Sequence, residues 1–459
     1  MSGATSPQTS VTRVSGGTTE CGSSWRKHAQ QNLRTLDTPP GPFSEGAVDV
    51  VYARCCGLDI HKRLVVACLI TPGQGTAPQK EIRTFGTMTD DLLALGDWLA
   101  GAGCTHVAME STGVYWKPIY NLLEGSFELL LVNARHIKAV PGRKTDVRDC
   151  EWIADLLRHG LLRASFVPDR EQRELRELTR YRTALVRERS SEANRLAKTL
   201  EGANIKLGAV ATDILGKSGR EILTELVAGA TDPAALADLA RGRMRSKIPD
   251  LERALVGRFG THHRFLVAQH LSHIDYLDEV IAHLSAEIAE RVRPFEDELV
   301  RLDTINGVGR MTAEVIVAEL GTDMRRFPSD RHAASWAALC PGNHESAGKR
   351  QSGKTRKGNR YLRTALVEAA QAAGRSRNTY LGAQYHRLAA RRGKKKAAVA
   401  VAHSILVISY HLLKDGTDFH DLGGDYFDRR DKDALERRLI SRLEALGNKV
   451  TLEKAEHAA

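Results

Sequence analysis

Four acids stand where side-chain chemistry is easiest to assemble. Asp59 ends the apolar run "CCGL", Glu110 ends "THVAM", and Asp146 and Asp149 lie in "KTDVRDC". Two of them close strand-like runs. The other two stand three residues apart at the start of a predicted helix, so they share one of its faces. Clustered carboxylates are hard oxygen ligands for a divalent cation. A pair of such cations about 4 Å apart activates the attacking oxygen and stabilises the leaving one in phosphoryl transfer. Each acid also has an ordinary structural use. Asp146 can cap a helix, Asp149 can favour a helix dipole from the first turn, and Asp59 can open the turn "DIHKR". Glu110 has the least comfortable structural use, because an acid directly after "VAM" tends towards burial.

A second chemistry is written in "CPGNHESAGKRQSGKTRKGNRYLR", residues 340–363. Ser346 and Ser352 sit among Lys349, Arg350, Lys354, Arg356, Lys357, Arg360 and Arg363, with Glu345 as the one acid. A serine hydroxyl is a weak nucleophile until a base or a metal assists it. A pentavalent phosphate in turn needs positive charge around it. Lys349, Arg350 and Lys354 are suited to clamp non-bridging oxygens, arginine through paired hydrogen bonds. His344 and Glu345 are the nearby groups that could act as a base. The residues alone leave two readings open: the serines hydrogen-bond a phosphate backbone, or one of them attacks it. Tyr361 reads as an apolar anchor at a helix start rather than a tyrosine nucleophile, and Arg360 and Arg363 beside it read as phosphate contacts.

The whole chain suits such a ligand. It has 459 residues, a formal net charge of +11 and a pI near 9.3, a balance that makes nucleic acid the first expected partner, ahead of a membrane surface. Hydrophobic residues make up 42%, enough for real cores. No apolar run reaches the roughly 18–20 residues of a membrane span, and the N-terminus lacks a basic-then-apolar leader pattern. Seven cysteines, an odd number without Cys-x-x-Cys, argue against a disulfide framework or structural zinc and for reduced thiols in a cytosolic protein. His61, His106, His136 and His159 are scattered and read as structural or surface residues, and Trp116 and Trp152 as core.

These groups need elements to hold them. Residues 1–48 are rich in Ser, Thr, Gly and Pro and are expected to form a disordered tail. Residues 49–168 alternate short apolar runs with helical patterns, which predicts an α/β domain. Its strands are "VVYARCCGLDI", "LVVACLI", "KEIRTFGT", "THVAMEST" and "FELLLVNA". Its helices are "DDLLALGDWLAGAG" and "DVRDCEWIADLLRHGLL", the latter with Trp152, Ile153, Leu156 and Leu157 on one face. Residues 169–300 carry almost no strand signal. Two long amphipathic stretches there predict an antiparallel helical arm or coiled coil, with Leu175, Leu178, Leu185, Leu196 and Leu200 along the first. Residues 301–415 read as a mostly helical domain opened by "LDTINGVGRMTAEVIVAELG", similar to a helix-hairpin-helix whose glycines let backbone N–H groups approach phosphate. Helices are expected at 361–374 and 397–413. Between them, residues 375–396 contain no acid at all. Residues 416–459 are a charged tail.

At this point the residues resemble a known family. "GLDIHK", "MESTGVYW" and "GRKTDVRDCEWIADLLRHGLL", with "INGVGRMTAEVIVAELG", "FPSDRHAASWAALCPGNHESAGKR" and "RKGNRYLRTALVEAA", are similar to the DEDD transposases of the insertion-sequence one-ten type. The resemblance covers 55–168 and 300–375 well and the helical middle loosely. It implies a RuvC-like, ribonuclease-H-type N-terminal domain in which Asp59, Glu110, Asp146 and Asp149 bind Mg2+, expected as two ions. It implies a C-terminal transposase domain whose nucleophile matches Ser346, five residues after Pro341, with Ser352 as the competing position. It further implies DNA as substrate, a noncoding guide RNA, a dimer or tetramer, and a cytoplasmic, nucleoid-associated bacterial protein. The family usually has alanine where this chain has Cys150, a small change in volume. The rival expectations are a RuvC-type junction nuclease, which hydrolyses without a protein–DNA adduct, and a non-catalytic nucleic-acid-binding protein.

Overall fold

The computed structural model describes residues 49–452 apart from 74, 76, 112, 134–148 and 343, together with the backbone but not the side chains of His344 and Arg350. The tail expected over 1–48 and the candidate acid Asp146 lie outside the described residues. The chain divides between Val167 and Pro168 into two compact units.

The first unit is built on a five-stranded sheet of order β3-β2-β1-β4-β5. Its strands are β1 (Cys55–Ile60), β2 (Leu64–Thr71), β3 (Gln79–Gly86), β4 (His106–Glu110) and β5 (Glu128–Val132). β1, β2 and β3 run antiparallel in turn, and β4 and β5 run parallel to β1. The central strands are nearly continuous apolar runs because both faces of the sheet are covered. On one face Cys56, Leu58, Val107 and Met109 pack beneath α1 (Thr89–Gly101) and α2 (Trp116–Leu123). On the other, Cys55, Cys68, Ala108 and Val132 meet α3 (Asp149–Arg158) through Cys150, Ile153, Ala154 and Leu157. Trp116 and Trp152 pack against these two cores, in line with the sequence. β1 begins at Cys55, so "VVYA" ahead of it is not strand.

Gly57 decides how closely α3 can lie on β1. A Cβ built there would stand 2.3 Å from the Cys150 carbonyl oxygen and 2.4 Å from the Ala154 nitrogen. Only glycine lets the helix backbone rest on the strand at this point.

Burial also sets the thiol chemistry of this unit. It pushes Cys55, Cys68 and Cys104 up to about 12 from an ordinary 9.0, and Cys56 well above its ordinary value. The folded thiols hold their protons more tightly than unfolded ones. The stability this brings is full below pH 9.0, where unfolded thiols begin to ionise, and is lost as pH rises towards 12. Thermal unfolding of the protein at pH 8 and pH 10 should show the N-terminal unit melting lower at pH 10. An unchanged midpoint would mean that these thiols are hydrated rather than buried.

The second unit begins with α4 (Arg170–Gly202), capped by the Asp169 side chain, which accepts from the Gln172 amide. It pairs with α9 (Thr261–Val292). The contacts Glu174–Arg291, Arg189–Asp278 and Glu192–His270 fix the two helices antiparallel, as the leucine spacing predicts. Between them, α5 (Leu207–Val210), α6 (Lys217–Ala228), α7 (Pro233–Ala237) and α8 (Ile248–Leu255) close a separate core at one end of the pair.

The rest of the unit packs on the opposite end. It comprises α10 (Glu296–Asp303), α11 (Arg310–Leu320), α12 (Asp330–Trp336), a hairpin of β6 (His344–Ser346) and β7 (Lys349–Ser352), α13 (Arg360–Ala373), α14 (Tyr380–Arg392) and α15 (Lys394–Asp415), followed by the exposed α16 (Tyr426–Arg430) and α17 (Lys432–Ala445). α15 is the one helix among the described residues long and apolar enough to cross a membrane. Its apolarity has an internal use, because Val401, Ala402, Ile405, Leu406 and Tyr410 form the middle of this core.

Candidate functional site

The N-terminal acids converge by register. Leu58 on β1 pairs with Met109 on the parallel β4, so Asp59 and Glu110 are side by side one residue further on. In-register residues of parallel strands point to the same face. That face is the one carrying Cys55, Gly57 and Ala108, covered by α3. Asp149 is the first residue of α3, and the close approach at Gly57 lays its first turn on β1. All three acids are half-buried. Asp59 is felt at the start of α3: burial pushes the Cys150 thiol up, and the Asp59 charge adds to the push. His61, read from sequence as a surface residue, places Nε2 3.2 Å from Asp59 Oδ2. The turn "HKR" signals its exposure but not this contact, which depends on how the chain leaves β1.

The donor set suits a hard divalent cation, since it consists of carboxylates with a partly open edge. Among the described residues, no group of three His, Cys, Asp or Glu side chains stands close enough to enclose a metal. Asp146, the fourth acid, lies outside the described residues.

In the second unit Ser346 is presented by a β-hairpin, an element that the reading of a mostly helical domain did not include. The two-residue connection Ala347–Gly348 has both φ angles positive, 50° and 73°, the twist that lets a tight turn join two strands. Ala-Gly is a weaker turn signal than Asn-Gly, which is why the hairpin escapes a reading by turn type. The hairpin base is fixed by the bridge Pro341–Thr355 and by the Gly342 amide donating to the Lys354 carbonyl at 3.1 Å. Ser346 is exposed beside the turn, opposite Lys349. Ser352 is half-buried, and its hydroxyl accepts from the Lys354 amide at 3.2 Å. Lys349, Lys354, Arg356 and Lys357 are exposed and Arg363 half-buried, none with an ion pair among the described residues. Arg360 donates to the Tyr361 hydroxyl at 2.9 Å. Tyr361 is not a simple apolar anchor: its ring lies between the guanidinium groups of Arg180 and Arg360, at 4.4 and 4.8 Å.

Sequence reading missed what holds this segment to the long helices. Glu319 on α11 is fully buried. Arg180 binds its two oxygens at 2.7 and 2.8 Å, Arg176 approaches at 3.4 Å, and Asn359 donates to it at 2.6 Å. Asn359 at the same time caps α13 by accepting from the Tyr361 and Leu362 amides. Beside it, Arg182 meets the buried Glu314 at 2.6 Å. The arginines lie on the outward-looking "RELTRYRTALVR" of α4, and nothing in their spacing names partners some 140 positions away. Burial pulls Arg176 down to about 10 against the pull of Glu319. Burial also lowers Arg180, but its hydrogen bonds to Glu319 outweigh that and raise it. Glu319→Ala should cost about 3–5 kcal/mol, because it strands buried cations. Urea unfolding of the full chain measures this, and an unchanged midpoint would mean that water already satisfies the arginines.

Two helices, α10 and α11, flank the glycine pair of "INGVGR", and the two glycines divide the work. Gly307, at φ 87°, is pressed on α13, where a Cβ would meet the Ala369 oxygen at 2.3 Å. Gly309 caps α11 facing open space. Only the second leaves room for a phosphate.

Known families cover both regions. Residues 56–205 match a DEDD transposase domain of the IS110 type, and residues 300–387 match the transposase domain of the IS116/IS110/IS902 family. A Pseudomonas aeruginosa protein described as a probable family 20 transposase is 29% identical over 322 residues, 68% of this chain and 84% of that one. The transposase for insertion sequence element IS1111A of Coxiella burnetii is 26% identical over 295 residues, 62% of this chain and 70% of that one. The chain is an insertion-sequence transposase, an enzyme that acts on DNA. It belongs to the IS110 family, the insertion-sequence one-ten type that its motifs resemble.

Proposed function

We propose that this transposase cuts and rejoins DNA through a covalent phosphoserine at Ser346. The observation that carries the reading is the hairpin: it exposes one hydroxyl in an acid-poor cationic segment and commits the other, on Ser352, to a backbone amide. Ser346 Oγ attacks a backbone phosphorus, one P–O bond forms, the P–O bond to the leaving sugar oxygen breaks, and the serine proton passes to solvent or to that oxygen. The number of phosphoester bonds is conserved, so a second DNA hydroxyl can reverse the step on a new strand. Lys349, Arg350, Lys354, Arg356, Lys357, Arg360 and Arg363 hold the phosphates and offset their charge.

The sheet order, antiparallel for β1 to β3 and parallel for β1, β4 and β5, supports a RuvC-like domain. Asp59, Glu110, Asp146 and Asp149 would hold Mg2+, expected as two ions. When bound, these ions would supply Lewis-acid activation of a nucleophile and stabilisation of a leaving oxygen. The acids are the ligands; His61 orients Asp59. The domain extents 49–168, 169–300 and 301–415, the guide RNA and a dimeric or tetrameric assembly belong to the same proposal, and they rest on the family resemblance.

The test is covalent capture. Protein purified with RNA from cells carrying the whole element is mixed with labelled element-junction DNA and Mg2+, denatured, and run on a gel. The adduct is then mapped by proteolysis and mass spectrometry. An adduct on the peptide holding Ser346 is the expected result. Cleaved DNA without an adduct would favour the RuvC-type nuclease instead.

A further inference from the structure

The acid-free stretch 375–396 forms a surface that the hairpin does not account for. It contains eight cations: Arg375, Arg377, Arg387, Arg391, Arg392, Lys394, Lys395 and Lys396. All are exposed, and none makes an ion pair among the described residues. Arg387 lies over the Phe427 ring at 5.4 Å, a contact that leaves its charge uncompensated. The last five crowd one corner. Arg391 and Arg392 end α14, Gly393 turns the chain at φ 83°, and the three lysines open α15. The match to the family's transposase domain stops at residue 387, before this corner.

This arrangement is electrostatically unfavourable for the fold alone. Like charges one turn apart on a helix repel. Lysines in the first turn of α15 also sit at the positive end of its dipole, where an acid would be stabilising and none is present. A solvated face that served only solubility would mix both signs, as the charged α17 does with Asp433, Glu436, Arg437 and Arg438. Nor does the corner offer an exposed ring on which a base could stack. The chemistry on offer is many point charges without ion-pair partners, which fits a phosphate backbone contacted without regard to sequence.

We infer that the α14–α15 corner is a second DNA-docking surface, which grips the phosphates of duplex DNA away from the Ser346 hairpin. The inference rests on the family's DNA substrate, not on the serine or metal assignments. It is therefore tested by binding alone, which needs neither strand cleavage nor an adduct.

Fluorescence anisotropy of the full chain on a duplex of mixed sequence, across a series of NaCl concentrations, gives the salt dependence of binding. Each phosphate contact contributes about 0.9 to that slope. A variant with Arg391, Arg392, Lys394, Lys395 and Lys396 all changed to Gln should therefore show a slope shallower by about 2–4 and an affinity at least about tenfold weaker at low salt. Its thermal midpoint should hold or rise, because the repulsion is relieved. An unchanged slope would overturn the inference, as would weakened binding to structured RNA with duplex DNA unaffected. Wild-type protein gives a reading independent of any variant's folding. Amine-reactive labelling of Lys394, Lys395 and Lys396, followed by mass spectrometry, should fall severalfold when duplex DNA is bound. Equal labelling of free and saturated protein would also overturn the surface.

Discussion

Ser346→Ala should abolish the covalent adduct and strand exchange, by at least about 1000-fold, since losing the nucleophile removes a whole catalytic unit. DNA affinity should stay within about twofold, because every cation of the segment remains to bind phosphate. The change deletes one oxygen from an exposed residue on a short strand. It leaves the Ala347–Gly348 turn and the Pro341–Thr355 bridge in place, so stability should move by no more than about 0.5 kcal/mol. Ser352→Ala is the matched comparison. It removes an acceptor from the Lys354 amide, which should cost about 0.5–1.5 kcal/mol at the hairpin base while capture persists. Asp59→Ala should also lose the adduct, through the acids rather than the nucleophile. The assay is the denaturing gel, with anisotropy run in parallel. A Ser346→Ala protein that still recombines would remove serine chemistry from the enzyme. One that cuts but forms no adduct, like a wild type that does the same, would make it a nuclease.

The sheet of the first unit was legible because its strands are buried on both faces. "LVVACLI" and "THVAM" had no other plausible use than a covered α/β sheet, and the helix from Asp149 declared its inner face through Ile153, Leu156 and Leu157. Two of the acids stood out for a related reason: Asp59 and Glu110 each end an apolar run, and Asp149 opens the helix that covers them. Other features were not legible. The hairpin under Ser346 depends on Ala347 adopting a positive φ, which no propensity for alanine would suggest. The grip of Arg176, Arg180 and Asn359 on Glu319 spans the sequence from 176 to 359. Local periodicity carries no information about such pairs, and "VIVAELG" conceals a buried carboxylate inside an apparently ordinary amphipathic helix. His61 is a surface residue as read, but its contact with Asp59 was not legible, because it depends on where β1 ends. Chemistry written at the ends of elements can thus be read from sequence, whereas chemistry made by contacts between distant elements cannot.

Gly57→Ala should cripple the acids without touching any of them. The added Cβ would lie 2.3 Å from the Cys150 carbonyl oxygen and 2.4 Å from the Ala154 nitrogen. Both are backbone atoms, so no side-chain rotation relieves the clash, and α3 must move off β1. Overpacking of this kind costs about 1–3 kcal/mol, which a unit of this size tolerates. Catalysis should suffer more. α3 begins at Asp149, and its displacement separates that carboxylate from Asp59 and Glu110. A misplacement of about 1 Å costs on the order of 100-fold in rate. Mg2+-dependent product should therefore fall about 100-fold, while DNA affinity, for which no cation is changed, holds. Cys150→Ala is the informative companion. It trims the buried sulfur of the residue whose carbonyl rests over Gly57 and leaves both backbones where they are. It should keep near-full activity. Activity lost in Gly57→Ala and kept in Cys150→Ala would tie turnover to the spacing of strand and helix. Full activity in Gly57→Ala, with the fold intact, would show that Asp149 acts from a position the sheet does not set, and the acids would then have to be regrouped without it.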